Sequence, residues 1–235
     1  PLLLLAGEPL IVRVIERVRE HAVLDDLVVA TDSSGVAAVA ENCGAKVVMT
    51  RPDHPSGTDR VAEVAGRREY AGFDVFANVQ GDEPFLPREA LAGALAKVEA
   101  GDDVGTAAAP LNSALAGEPS RVKVVTDAHG RALYFSRAAI PHLRDPGAVP
   151  DGLYWQHLGV YAYTGAALRR WVTEAPSPAE RAEQLEQLRA LHCGLSIGVA
   201  LLREAAPAGV DTPEDLRGAE AHWQALHGYE LPRHA

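Results

Sequence analysis

The sequence predicts an α/β fold with a mostly parallel sheet and an antiparallel β insertion. Up to residue 110, short apolar segments alternate with segments of helical periodicity. That alternation is typical of βαβ units and a parallel sheet. After Pro110 the pattern changes, and two short strand-like segments, 121–126 and 132–135, flank the turn sequence Asp-Ala-His-Gly at 127–130. This arrangement indicates an antiparallel hairpin.

Length and composition indicate an ordinary globular protein. Its 235 residues are 47% hydrophobic and 23% charged, which is sufficient for a full core. The net charge of −10 argues against a nucleic-acid partner, and no apolar run is long enough to span a bilayer. Residues 2–5 lack the basic flank of a signal peptide, and the two cysteines match no metal or disulfide spacing. We therefore expect a cytoplasmic protein without a membrane partner.

Periodicity places the elements of the first half of the chain. We expect a helix from about Glu8, a strand at 27–32, a helix capped by Ser33 and ended by Gly44, a strand at 46–49, a helix from Thr58 or Asp59, a strand at 73–77, a helix at 87–99 and a strand at 104–109.

In the second half we expect, besides the hairpin, a strand at 158–163, one long helix over 179–191, a strand at 195–202 and a helix that begins near Thr212 and Pro213.

The most informative stretch is Asn-Val-Gln-Gly-Asp-Glu-Pro at 78–84. It follows the strand at 73–77, so it should lie at the carboxyl end of a central strand, where open α/β sheets bind ligands. Asp82 and Glu83 place two carboxylates there, and carboxylate oxygens are ligands that Mg²⁺ prefers. On local pattern alone, a helix cap at Asp82 and a solvated Glu83 are an equal alternative.

Two other polar segments stand at predicted helix starts. Residues 56–60, Ser-Gly-Thr-Asp-Arg, form a small-residue turn that could contact an anion or a nucleotide. Residues 209–213 place Asp211 just before a helix. Taken singly, both segments are more typical of ordinary helix caps.

Further polar side chains lie beside predicted strands and helices. His157 precedes a strand, and Arg137 follows another, where its guanidinium could hold a substrate carboxylate. Glu186 and Gln187 fall within the predicted long helix. The alternatives are a structural histidine, a surface ion pair and a solvated helix face.

Six segments, read together, closely resemble the 3-deoxy-manno-octulosonate (Kdo) cytidylyltransferase family. The resemblance covers nearly the whole chain, and the segments occur in the family's order. They are Arg-Pro-Asp-His-Pro-Ser-Gly-Thr-Asp-Arg at 51–60, the stretch at 78–84, Leu-Tyr-Phe-Ser-Arg at 133–137, His-Leu-Gly-Val-Tyr at 157–161, Leu-Glu-Gln-Leu-Arg at 185–189 and Gly-Val-Asp-Thr-Pro-Glu-Asp-Leu at 209–216.

The resemblance implies a Rossmann-like, three-layer nucleotidyltransferase fold, a homodimer and a requirement for Mg²⁺. The implied reaction joins CTP and Kdo into CMP-Kdo and pyrophosphate for lipopolysaccharide biosynthesis. It also implies a single domain over 1–235, with a nucleotide-binding half at about 1–110, a sugar-binding and dimerisation insertion at about 111–210 and a C-terminal helix at 211–235.

The resemblance also implies the roles of individual residues. Asp82 and Asp211 would be the catalytic, metal-binding carboxylates. The cytidine side would comprise Ser56, Gly57, Thr58 and Arg60. The sugar-acid pocket would comprise Gln80, Arg137, His157, Tyr161, Tyr163, Glu186 and Gln187.

One part of the family signature is not matched. The family begins with a strand and a triphosphate-binding loop that ends in Pro-Gly-Lys-Pro-Leu, and Pro1-Leu2 matches only its last two residues. We expect the complete protein to carry this segment.

Two other functions are compatible with the sequence. A cytidylyltransferase for another sugar acid, 8-amino-Kdo or a sialic acid, would differ only in pocket residues. A non-catalytic nucleotide-binding homologue would not need both Asp82 and Asp211, so the presence of both favours an enzyme.

Overall fold

The computed structural model describes residues 1–20, 24–145, 150, 152–207 and 209–228. The chain divides into two compact units. The first unit comprises Pro1–Thr50, Gln80–Leu86 and Pro207–Ala235, and the second comprises Arg51–Val79 and Pro87–Ala206.

The strands are numbered in chain order. They are β1 (Leu4–Leu5), β2 (Glu8–Pro9), β3 (Val28–Thr31), β4 (Lys46–Met49), β5 (Val75–Val79), β6 (Val104–Leu111), β7 (Lys123–Thr126), β8 (Ala132–Ser136), β9 (Tyr154–Thr164) and β10 (Ile197–Leu201). The α-helices are α1 (Leu10–Glu20), α2 (Ser34–Asn42), α3 (Gly57–Ala65), α4 (Arg88–Glu99), α5 (Gly165–Thr173), α6 (Pro178–Glu183), α7 (Gln187–His192) and α8 (Pro213–His227).

In the first unit, α1 and α2 pack with the parallel pair β3–β4. Helix α1 buries one apolar stripe, as its helical spacing predicts. Ser33 caps α2 by accepting a hydrogen bond from the Val36 amide, and Gly44 ends it with φ +73°. Left-handed backbone angles at this position favour glycine, because a side chain with a Cβ would be strained there. These boundaries confirm the predicted ones.

The second unit is built on a six-stranded mixed sheet with the order β10–β6–β9–β7–β8, and β5 also pairs with β9. β6 and β10 are parallel, whereas β9 runs antiparallel to both β5 and β6. The predicted α/β class and the hairpin β7–β8 are confirmed. The sheet has fewer parallel strand pairs than expected. The reason is that β9, which was predicted as a strand of the second half of the chain, lies between β5 and β6 of the first half.

The predicted long helix over 179–191 is wrong. Gln184 takes left-handed backbone angles, φ 52° and ψ 50°, which a right-handed helix cannot continue, so the segment divides into α6 and α7. The Arg189 guanidinium reaches back to the Glu180 carboxylate in a buried ion pair across this break. As a result, Glu186 immediately precedes α7 without a side-chain capping bond, Gln187 begins the helix, and neither lies on the solvated face of a long helix.

Other boundaries differ from prediction by a few residues. β5 begins and ends two residues later than expected, which places the turn at Gln80–Leu86 directly after it in the chain. Thr212 caps α8 in a reciprocal pair of bonds with Asp215, and Pro213 occupies the first turn, as predicted. Within the described residues, every helix is too short or too polar to cross a membrane.

We predict that Gly105→Ala destabilises the second unit by about 2 to 3 kcal/mol or more, because overpacking a close contact forces backbone shifts. A Cβ at Gly105 of β6 would lie 2.7 Å from the carbonyl carbon of Ala94 on α4, well inside van der Waals distance. Urea unfolding measures the loss.

Gly218→Ala is the matched control, because a Cβ at this helical position of α8 meets no atom within 4 Å. We expect it to leave stability unchanged or to raise it by about 0.5 to 1 kcal/mol. Equal unfolding midpoints for Gly105→Ala and the parent chain would contradict the close contact.

Candidate active site

Two carboxylates meet in the first unit. The turn at Gln80–Leu86 carries Asp82, and the Val210 amide donates a 2.8 Å hydrogen bond to the Asp82 carbonyl oxygen. This bond holds the segment before α8 against the turn, so the carboxyl groups of Asp82 and Asp211 come within hydrogen-bonding reach of each other. The structure thus brings together the two residues that were predicted to bind metal.

The electrostatics of this carboxylate pair are unfavourable. Burial, and then the neighbouring Asp211 charge, raise the pKa of Asp82 to about 6. Asp82 Oδ1 is buried and, among the described residues, has no hydrogen-bond partner. Asp211 is exposed at the start of α8. A cation that binds both carboxylates would stabilise the pair, because it would give the buried oxygen a partner and offset the repulsion between the two charges.

Gln80 lies in the same turn as Asp82. It is half-buried, and its carbonyl oxygen accepts a 3.3 Å hydrogen bond from the Glu83 amide. The first unit therefore contains three of the predicted site residues, and the second unit contains the others.

In the second unit, the start of α3 is organised by its cap. The Ser56 hydroxyl accepts from the Asp59 amide at 3.2 Å and donates to Asp59 Oδ2 at 2.6 Å, so Gly57 is the first helical residue. The cap that local sequence suggested is therefore present. The Arg60 amide donates to the Ser56 carbonyl oxygen. The predicted contact of Ser56, Gly57 and Arg60 with cytidine stays a prediction.

The loop before α3 is held by a carboxylate that the sequence did not single out. Glu63 Oε2 accepts from the Arg51 amide at 3.0 Å and lies 2.5 Å from His54 Nε2. The backbone hydrogen bond from Arg51, followed by the bond to His54, lowers the pKa of Glu63 to about 2. Glu63 therefore orders the segment that carries Ser56.

Thr58 belongs to a buried polar cluster. Its side chain is fully buried, and its hydroxyl oxygen lies 3.0 Å from the Tyr163 hydroxyl and donates to Glu186 Oε1 at 2.9 Å. Burial raises the pKa of Glu186, and its Oε2 is buried without a hydrogen-bond partner among the described residues. The structure therefore joins Thr58, predicted on the cytidine side, to two residues predicted in the sugar pocket.

His157 lies on β9, half-buried among aromatic rings. Its ring packs edge-on against Phe135, with 4.9 Å between centroids, and lies 5.3 Å from the ring of Tyr161. His157 Nε2 is 2.9 Å from the hydroxyl oxygen of Thr106 on β6. Burial lowers the pKa of His157 to about 3, so the imidazole is neutral at physiological pH.

Arg137 directly follows β8, and its guanidinium is bonded to backbone carbonyl oxygens. Nε donates to the Glu183 carbonyl oxygen at 2.7 Å, Nη1 to that of Pro119 at 3.0 Å and Nη2 to that of Gln184 at 3.3 Å. These bonds use three of the five guanidinium N–H groups. Arg137 therefore joins β8 to the break between α6 and α7, and its predicted contact with a substrate carboxylate stays a prediction.

The sequence reading missed Thr106, although a signal was present. Thr106 is the one polar side chain in the apolar run at 104–109, and a polar group inside a buried strand requires a partner. Asn78 gives a similar signal: it was part of a recognised motif but had no assigned role, and its Nδ2 is buried without a hydrogen-bond partner among the described residues.

Comparisons with known proteins were made by sequence and by structure. A family model described as "Cytidylyltransferase" matches residues 1–197. A 3-deoxy-manno-octulosonate cytidylyltransferase of Gemmatimonas aurantiaca is 54% identical, over 97% of this chain and 89% of the relative. A protein of Burkholderia ambifaria, named 3-deoxy-manno-octulosonate cytidylyltransferase 2, is 47% identical over 92% of this chain and 84% of the relative.

Solved structures agree with this assignment. A CMP:2-keto-3-deoxy-manno-octonic acid synthetase, solved with CTP, superposes with a TM-score of 0.87 at 36% identity, over 96% of this chain and 92% of that chain. A 4-diphosphocytidyl-2C-methyl-D-erythritol synthase of Anaerococcus prevotii, with a TM-score of 0.62 at 11% identity over 94% of this chain and 92% of that chain, shares the fold alone. On the strength of the family model and the two curated relatives, the chain belongs to the cytidylyltransferase family.

Proposed function

We propose that this chain transfers CMP from CTP to 3-deoxy-D-manno-octulosonate, releasing pyrophosphate. The observation that carries the proposal is the 54% identity, over 97% of the chain, to a relative named for this activity. The product, CMP-Kdo, would supply lipopolysaccharide biosynthesis. A cytoplasmic location, where CTP is available, fits this reaction.

The carboxylate pair fits a divalent cation. Mg²⁺ in nucleotide-binding sites is commonly held by one or two carboxylates, and substrate phosphates and water complete its coordination. Within the described part of the chain, no group of three or more Asp, Glu, His or Cys side chains is placed to hold a metal ion, so the substrate would supply the remaining ligands. The unpaired Oδ1 of Asp82 supports Asp82 and Asp211 as the residues that would hold the ion.

In this reaction the sugar's anomeric hydroxyl attacks the α-phosphorus of CTP. A new P–O bond forms as the hydroxyl gives up its proton to solvent, the bond to the β-phosphate oxygen breaks, and pyrophosphate carries away the electron pair. Bound Mg²⁺ would neutralise phosphate charge and align the two substrates. Asp82 and Asp211 would fix its position, and ionisation of Asp82 would be required for this.

The second unit would bind the sugar acid through uncharged and hydrogen-bonding groups. The Glu186 carboxyl is held by Thr58 and has one unpaired oxygen, which suits a sugar hydroxyl. Neutral His157 and the hydroxyl of Tyr163 add further polar atoms to an otherwise aromatic surface. Gln187 is buried at the start of α7, beside Glu186 in the chain.

A homodimer is also part of this proposal. Leu133 and Tyr134 on β8 expose apolar side chains, 61% and 37% exposed respectively, and they lie in the insertion that the family resemblance assigns to dimerisation. Trp155, by contrast, packs against the core of the second unit. Sedimentation analysis of the chain and of Leu133→Glu tests this: the parent should sediment as a dimer and the variant as a monomer.

The proposed activity predicts pyrophosphate release from CTP plus Kdo in the presence of Mg²⁺. The assay should include this chain and a form extended upstream of Pro1 by the family signature, with 8-amino-Kdo and a sialic acid as competing substrates. Kdo should be preferred. Faster turnover of another sugar acid would contradict the choice of Kdo, and CTP hydrolysis or no reaction by both forms would contradict a transferase.

Asp82→Asn and Asp211→Asn should each fold and lose most of their turnover, by about 10²-fold or more, since each removes one of two charged metal ligands. Initial rates at limiting Mg²⁺ measure the loss. Asp59→Asn, which changes a cap residue of α3, is the charge-matched comparison. An Asp211→Asn enzyme with near-normal turnover at limiting Mg²⁺ would exclude Asp211 as a ligand.

The raised pKa of Asp82 also predicts a pH dependence of stability without added metal. Because the pKa of Asp82 in the folded chain, about 6, exceeds its ordinary value of 3.8, the contribution of Asp82 to stability is full below about pH 4 and is lost as pH rises through 6. Asp82→Asn should therefore be more stable than the parent at pH 8, by roughly 2 to 3 kcal/mol, and similar at pH 4. Urea unfolding at both pH values measures this difference.

Added Mg²⁺ should raise the stability of the parent at pH 8 and should not affect Asp82→Asn. Asp127→Asn provides a control of opposite sign, since hydrogen bonds from the Arg131 and His129 amides lower the pKa of Asp127, so this variant should lose stability at neutral pH. Parallel pH profiles for the parent and Asp82→Asn would show that Asp82 is not perturbed.

A further inference from the structure

The hydrogen bonds around Thr106 determine how His157 is protonated. The Thr106 hydroxyl lies 2.7 Å from the Val160 carbonyl oxygen and 2.9 Å from His157 Nε2. A carbonyl oxygen can only accept, so the single hydroxyl proton is donated to Val160. The hydroxyl oxygen is then an acceptor toward the imidazole, and His157 Nε2 must carry the proton.

The other ring nitrogen follows from this assignment. Neutral imidazole carries one N–H, so protonation at Nε2 leaves Nδ1 with a free lone pair. Burial strongly disfavours the doubly protonated ring. Among the described residues no group donates to Nδ1: the Phe135 ring has no donor, and the Tyr161 hydroxyl makes no hydrogen bond to the imidazole. His157 Nδ1 is therefore a hydrogen-bond acceptor.

We infer that Thr106 is a positioning residue that holds His157 in the Nε2–H form, so that Nδ1 accepts a hydrogen bond from a hydroxyl of the sugar acid. This deepens the proposed function and depends on it for the identity of the sugar. The assignment also excludes one role: a lone pair repels a carboxylate, so His157 does not bind the sugar's carboxyl group. The Thr106 hydroxyl acts only through His157.

Backbone geometry supports this function for Thr106. The pairing of β6 with β9 shifts register between Thr106 and Ala107, which places Thr106 opposite Tyr161 and Ala107 opposite Leu158. Irregularities of this kind redirect side chains and are common beside active sites. Here the irregularity lets one fully buried threonine reach both the Val160 carbonyl oxygen and the ring of His157.

The first test is spectroscopic and needs no turnover. In the ¹⁵N-histidine-labelled chain, ¹H–¹⁵N spectra distinguish protonated from unprotonated ring nitrogens, and loss of one of nine spin systems in His157→Gln assigns His157. We expect the Nε2–H pattern near pH 7, and added Kdo should shift the Nδ1 signal as it accepts a hydrogen bond. An Nδ1–H or doubly protonated pattern would overturn the inference.

Variants of Thr106 form the second test. Thr106→Val removes the hydroxyl at constant shape, so the His157 spectrum should become that of a mixture of both tautomers, whereas Thr106→Ser should keep the parent spectrum. Thr173→Val is the control, because the Thr173 hydroxyl donates only to backbone carbonyl oxygens of Arg169 and Arg170. An unchanged His157 spectrum in a folded Thr106→Val would contradict the positioning role.

Kinetics form the third test. Thr106→Val should raise KM for Kdo about five- to tenfold, the usual effect of losing one neutral hydrogen bond, and leave KM for CTP within twofold. Thr106→Ser should restore the KM for Kdo to the value of the parent. A rise in KM for CTP instead would overturn the inference. Absence of Kdo turnover in both the parent and its upstream-extended form would refute the proposed function, and the spectra would still decide the protonation of His157.

Discussion

The second unit depends on the backbone pairing of one long strand. β9 runs antiparallel to β6 over most of its length, β5 pairs with its residues 160–164, and β7 pairs with it at Gln156. His157, Tyr161 and Tyr163 are all carried by this strand. Because a strand paired on both sides cannot shift register without moving its whole apolar set, Tyr161 and Tyr163 are fixed between β5 and β6. His157 is fixed by its pairing with β6 and by the hydrogen bond from its amide to the Val122 carbonyl oxygen.

The same constraint explains why polar groups can be buried in this unit. Thr58 bonds to both Tyr163 and Glu186 in a largely apolar environment, and among the described residues of this unit the unsatisfied buried side-chain atoms are those of Asn78 and Glu186. Unsatisfied buried groups are costly and are retained mainly at functional sites. In the first unit the comparable cost is carried by Glu220 and by Asp82, whose carboxyl is held beside that of Asp211 by a backbone bond at Val210.

Much of the architecture was predictable because it is local. The amphipathic stripe of α1, the cap at Ser33 and the start of α8 at Pro213 all follow from side-chain chemistry within one or two helical turns. The hairpin β7–β8 likewise follows from its turn sequence. The break at Gln184 was not predictable, because the helical spacing continues through it and the ion pair between Glu180 and Arg189 is a tertiary contact.

For the site, the sequence by itself determined which residue types were available and in what order: two aspartates, a capped loop, a histidine and a Glu-Gln pair. Only the tertiary structure decided which of them meet. Asp82 and Asp211 are distant in the chain, and so are Thr58 and Glu186, or Thr106 and His157. The perturbed pKa of Asp82 and the protonation of His157 arise from such long-range neighbours and from burial, which local periodicity does not encode.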